Sequence, residues 1–174
     1  MRIWRTILAG LLGGLVAIAI VRGTTWLSGA EGDVCALLGA AMTGETGAAA
    51  WIIGFAAQLM VGMLAAMGYA LIFEWVTMRA SGLIGALIAI PHVAVAGLSV
   101  GFLPASRLLD AGVMPPGAFM EYRGAMVIVG FVLAHLVFGA VVGGLYGGTR
   151  HSMSETIPAW HDVTDAVREH PVKE

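Results

Sequence analysis

A chain of 174 residues that is 59% hydrophobic and 11% charged, with 25 glycines, carries more apolar surface than one small soluble core can hide, since soluble domains are about 45–50% apolar and about 25% charged. The net charge of −2 and the lack of basic runs exclude a nucleic-acid footprint. The single Cys35 excludes a disulfide framework and a thiolate zinc site, and the hydrophobicity excludes a disordered chain.

A bilayer core about 30 Å thick is crossed by about 20 apolar helical residues. Residues 6–26, 48–75, 81–103 and 124–147 meet that length. The first span follows Arg2 and Arg5 and precedes Ser28-Gly29-Ala30, features shared with a cleavable secretory signal. Its apolar run is longer than a signal core and recurs inside the chain, so it reads as an uncleaved span. The next connection holds Glu31, Asp33, Val34, Leu37 and Leu38, and is expected to fold back as a short interfacial helix. Glu45 precedes the second span, which contains Gln58 and Tyr69 and ends near Glu74. A turn of only a few residues, around Thr77 to Ala80, joins the second span to the third, which predicts an antiparallel hairpin of those two helices.

Pro91 lies in the middle of the third span. It offers no N–H to the carbonyl of Leu87, so a kink is expected there, immediately before His92. The second long connection carries Leu108, Leu109, a turn at Met114-Pro115-Pro116-Gly117, and Glu121. The fourth span places His135, Gly139, Gly143 and Tyr146 along one helical face. The tail, residues 151–174, is polar, with a short helix expected over 159–169. His151, His161 and His170 are spaced too irregularly to share a ligand face.

The first and third spans match without gaps: Gly10 to Ile18 reads GLLGGLVAI and Gly82 to Ile90 reads GLIGALIAI, with six of nine residues identical. In the second and fourth spans Glu45 aligns with Glu121, Gln58 with His135, Gly62 with Gly139 and Tyr69 with Tyr146. The chain therefore reads as two tandem helical hairpins, residues 1–76 and 77–150. Both enter the membrane in the same direction, so the expected symmetry is a pseudo-twofold along the membrane normal. The counterpart of His92 is Ile20, so the second half is the specialised one.

Between helices in lipid, close packing through small residues carries association. The pairs Gly10 and Gly14, Gly97 and Gly101, Gly139 and Gly143, Gly143 and Gly147, and Gly144 and Gly148 have the required spacing. Four spans put both termini on one side with Arg2, Arg5, Arg79 and Arg150. The other side holds Arg22, Arg107 and Arg123 together with Glu31, Asp33, Glu45, Asp110 and Glu121. Positive residues favour the cytoplasm, which places the termini there.

The polar residues at depth are Gln58, His92, His135, Tyr69 and Tyr146, with Gln58 and His135 at one level and His92 about a turn nearer the cytoplasm. Such groups mark a functional site, or they hydrogen-bond between helices. His92 and His135 are also candidate axial ligands of a b-type haem, although no arginine is available for its propionates. Glu45 and Glu121 are either helix-start caps or a pair of acids at the outer mouth.

The glycine-rich spans, Gly117-Ala118-Phe119-Met120 before the last span, and His135-Leu136-Val137-Phe138-Gly139 followed by Leu145-Tyr146-Gly147-Gly148 resemble small four-span bacterial integral membrane proteins of unknown function. The resemblance covers most of residues 1–150 and implies an inner-membrane location but no catalytic residues. The expected architecture is an all-α, integral membrane four-helix bundle. No nucleophile–base, phosphate-loop or zinc-protease signature occurs, so no enzymatic activity and no resident metal are expected. Three functions follow as expectations. One is a small transport or permeation element, as a homo-oligomer, with Gln58, His92 and His135 lining a polar site. The others are a non-catalytic subunit of a larger membrane complex and a haem- or metal-binding membrane protein.

Overall fold

A computed structural model describes residues 2–30 and 33–147. Glu31, Gly148, Arg150, and the tail with its expected helix over 159–169 lie outside the described residues. Four helices are long and apolar enough to cross a membrane. They are α1 (Ile3–Ser28), α3 (Ala48–Ile72, continued by a π-turn, Phe73–Thr77), α4 (Gly82–Gly101) and α6 (Ala125–Tyr146). Two shorter helices, α2 (Val34–Thr43) and α5 (Ala105–Asp110), and an irregular segment, Ala118–Arg123, fill the long connections. Among the described residues every regular element is helical.

The outer faces of the long helices carry exposed Leu12, Leu64, Leu87, Val95 and Val129. A patchwork of that extent is unstable against water and favourable against lipid. Trp4 and Trp75 at one end and Trp26 at the other are exposed as well, the placement of aromatic belts at the two interfaces. The start of α1, the end of α6 and the turn between α3 and α4 share one end. A Cβ at Gly147 would sit 3.1 Å from the Arg5 guanidinium, and Tyr146 bonds Glu74.

The long helices pack in the order α3, α1, α6, α4. Each contact is made where glycine removes a Cβ. A Cβ at Gly10 would lie 2.9 Å from the Gly62 carbonyl, one at Gly13 would lie 2.9 Å from the Phe138 ring, and one at Gly85 would overlap the Gly139 carbonyl. Of the glycines expected at crossings, Gly10, Gly14, Gly139 and Gly143 sit where long helices meet, whereas Gly97 and Gly101 seat the Ala118–Arg123 segment instead. Gly14 meets Leu59, Gly97 meets the Phe119 ring, Gly101 meets the Ala118 backbone, Gly139 meets Gly85 and Gly143 meets the Ser81 carbonyl. Gly144, also expected at a crossing, instead faces open space.

Two expectations are corrected. First, α3 and α4 are joined by a short turn yet do not pack along one another as a hairpin. Second, a pseudo-twofold exchanging the two halves would make the α1–α6 and α3–α4 contacts equivalent. The first is the most extensive in the bundle, whereas α3 and α4 meet only sparsely, through side chains such as Tyr69 and His92. The aligned residues Gly62 and Gly139 each sit at the crossing within their own half. Their partners are Gly10 and Gly85, and Gly10 aligns with Gly82, so the second crossing is displaced by three residues, nearly one turn. The α4–α6 pair is thereby seated differently from α1–α3. Across Pro91, which is exposed, α4 stays helical.

The end of the bundle opposite the termini is more than an interfacial loop. Asp33 caps α2 by accepting from the Ala36 N–H at 2.8 Å. Gly39 and Gly54 let the α2 and α3 backbones touch, and Cys35, Leu37 and Ala40 are fully buried. Leu108 of α5 is equally buried, and Arg107 donates to the Met42 carbonyl at 2.7 Å. Phe119 and Met120 take left-handed backbone (φ 53° and 63°), a conformation held by the seat of Phe119 on Gly97 and the full burial of Met120.

Burial, reinforced by the Asp33 charge, pushes the Cys35 thiol up to about 11. In native membranes near neutral pH the thiol is expected to resist maleimide, and to react once the chain is unfolded in SDS. Because folding favours the protonated form, this group destabilises the fold only as pH rises from about 9 towards about 11. Native labelling as fast as denatured labelling would contradict the packing of α2 on α3.

Candidate functional site

The site begins with helix spacing. On α6, Phe131, His135 and Phe138 follow one another at four and three residues, so their rings share a face. The glycines of α1 and α3 seat this face: the Phe138 ring lies against Gly13, and a Cβ at Gly62 would be 3.6 Å from it. On α4, His92 is half-buried and turned inward from the exposed Pro91. The His92 and His135 rings meet edge to face with centroids 5.1 Å apart, and Phe138 lies edge to face with His92 at 5.8 Å.

Because α3 and α4 stand apart, a cavity of about 220 Å³ lies between them, floored by α1 and α6. Gln58, His92 and His135 all line it. Ser99 lines it too, with its hydroxyl donating to the Val95 carbonyl at 2.7 Å. The other walls are apolar, and Val34 and Leu38 of α2 lie at the end opposite the termini. Tyr69 bridges to His92 at 3.1 Å on the side of the α3–α4 turn. Val61 of α3 and Ser99 of α4 both line the cavity and are exposed, so it opens between those two helices at the depth of the hydrocarbon.

The hydrogen bonds decide which nitrogens carry protons. His135 Nδ1 lies 2.8 Å from the Phe131 carbonyl, which can only accept. The neutral ring's one proton is therefore on Nδ1, and Nε2 presents a lone pair. Tyr69 is 3% exposed and His92 Nδ1 is its hydrogen-bond partner, so its hydroxyl places its proton there. His92 then carries its own proton on Nε2. The pair therefore carries one acceptor, His135 Nε2, and one donor, His92 Nε2–H, on rings whose centroids are 5.1 Å apart. Gln58 is half-buried, and its amide has no hydrogen-bond partner among the described residues.

The remaining expected residues fall elsewhere. Tyr146 is fully buried but lies at the end that carries the termini, where its hydroxyl donates to Glu74 at 2.6 Å. Glu45 and Glu121 are exposed and do not line the cavity. The residues that begin α3 and α6, Gly47 and Gly124, have no side-chain cap, so the two acids neither cap those helices nor form a mouth to this cavity. The histidine rings touch and leave no porphyrin-wide gap, so the pair as it stands does not fit bis-histidine haem ligation. Among the described residues, no group of three or more His, Cys, Asp or Glu is placed to hold a metal ion.

Reading the polar residues singly missed the ring walls. Phe131 and Phe138 were identifiable as the positions four before and three after His135. Also missed was the role of Asp33, which joins three elements at the end opposite the termini. It caps α2, accepts from Trp51 Nε1 at 3.0 Å and pairs with Arg22, whose guanidinium lies over the Trp51 ring at 5.7 Å. No family model, no curated protein and no solved structure matches the chain.

Proposed function

We propose that the protein is a small transport or permeation element of the bacterial inner membrane. In this reading it is built from two tandem hairpins with cytoplasmic termini, and the cavity between α3 and α4 handles the solute. The observation that carries the reading is the state of Gln58. A polar side chain that merely tied helices together would bond across the bundle, whereas this amide has no partner among the described residues and faces a cavity shared with two histidines. His135 likewise bonds its own helix and leaves Nε2 uncommitted. An unsatisfied amide at this depth costs about 1–3 kcal/mol, a cost that a bound solute removes.

The test is reconstitution into proteoliposomes with a panel of small uncharged and weakly polar solutes. Flux is expected for the wild-type chain and is abolished by His135→Ala, with helical content and thermal unfolding close to wild type. Absence of flux for every solute, together with a membrane protein that copurifies at fixed stoichiometry, would overturn the reading in favour of an accessory subunit.

A further inference from the structure

We infer that the cavity takes an uncharged, lipid-soluble molecule with a hydroxyl on a ring-sized apolar body, the chemistry of a phenol or quinol head group. This rests on the proposed reading of the cavity as a solute site and adds what that site recognises.

Four observations converge on this class. The first is size: an apolar protein cavity of about 150 Å³ holds benzene, so about 220 Å³ accommodates a substituted ring. The second is charge. No Asp, Glu, Lys or Arg lines the cavity, so an ion would enter without compensation in a low-dielectric medium. The third is access. The exposed lining residues Val61 and Ser99 lie on the lipid-facing helices α3 and α4, so the approach is from hydrocarbon.

The fourth is hydrogen-bond complementarity. A hydroxyl donates to His135 Nε2 and accepts from His92 Nε2–H or the Gln58 amide, and so uses both the bare lone pair and the donor beside it. A carbonyl compound accepts only and leaves His135 Nε2 bare, and a hydrocarbon leaves every polar group unpaired. The Phe131 ring, 4.3 Å from that of His135, and Phe138 beside His92 supply aromatic walls for a ring-shaped body.

The experiment uses the full chain in lipid nanodiscs with 4-fluorophenol and 4-fluorotoluene. These probes match in size and differ in a hydroxyl for a methyl, and their binding is read by fluorine NMR titration. The wild-type chain is expected to bind the phenol at least about tenfold more tightly, the equivalent of about 1.4 kcal/mol. His135→Phe is expected to retain 4-fluorotoluene binding and to lose the preference. If that variant does not fold, Gln58→Leu, at a half-exposed position, carries the same comparison and reduces the preference several-fold. Equal binding of the two probes to wild type, or a preference that survives His135→Phe, overturns hydroxyl recognition and leaves the cavity as a solute site. Absence of saturable binding by either probe overturns the solute-site reading and this inference with it.

Discussion

Gly85→Ala is expected to unfold or dissociate the α4–α6 pair, with a loss of about 3 kcal/mol or more, the upper range for overpacking a close contact. A Cβ at position 85 would overlap the Gly139 carbonyl oxygen and lie 2.7 Å from the carbonyl carbon and 3.1 Å from the Gly143 nitrogen. These are backbone atoms and no side chain can swing away, so the added methyl is accommodated only by moving the helices apart. Lipid tails are as apolar as the helix surface, so no hydrophobic force restores the contact. The same movement separates His92 on α4 from His135 on α6, now 5.1 Å apart between ring centroids, and so removes the site along with the fold. Gly144→Ala is the matched control. It lies on α6 beside Gly143 with nothing within 4 Å of its Cβ, and a helical alanine is favoured over glycine by about 1 kcal/mol. Thermal unfolding in mild detergent distinguishes the two substitutions. A Gly85→Ala protein as stable as wild type would contradict the backbone contact of α4 and α6.

Asp33→Ala is expected to destabilise the end opposite the termini by about 2–4 kcal/mol through the loss of two separable interactions. Removing the cap of α2 costs about 0.5–2 kcal/mol, and leaving the part-buried Trp51 Nε1 without its acceptor costs about 1–3 kcal/mol. The ion pair with Arg22 adds little, because the Arg22 side chain is 60% exposed and such pairs are screened. Asp33→Asn has a single side-chain oxygen to divide between Ala36 N–H and Trp51 Nε1, and is expected to lose about half as much. The local readout is Cys35, which lies two residues along and fully buried. Maleimide labelling of native membranes accelerates in Asp33→Ala before global unfolding is detectable. Unchanged labelling and unchanged thermal stability would show that the Asp33 cluster does not hold α2 against α3.

The spans, their order and the crossing glycines Gly10, Gly14, Gly139 and Gly143 were readable from sequence because each is a local property. Twenty apolar residues cross a bilayer whatever their neighbours, and a glycine row shortens the approach of any helix that packs there. Gln58, His92 and His135 were recognisable for the same reason, since polar groups are scarce at depth and depth follows from counting residues. Tyr146 misled because its alignment with Tyr69 implied a matching environment. Its hydroxyl is taken by Glu74, whereas that of Tyr69 serves His92. Asp33 was overlooked because one acid in a loop has no signature until Trp51, eighteen residues later, is folded against it.

By itself the sequence determined that this chain is a multi-pass membrane protein and which few polar side chains lie within its spans. Tertiary structure alone decided that α3 and α4 stand apart. The α4–α6 crossing is displaced by three residues from its α1–α3 counterpart, a choice of register between distant backbone segments that no local pattern encodes. That displacement and the sparse packing of α3 on α4 turn a symmetric pair of hairpins into a bundle with an opening. In that opening Gln58 is left unbonded, and two histidines present one acceptor and one donor side by side.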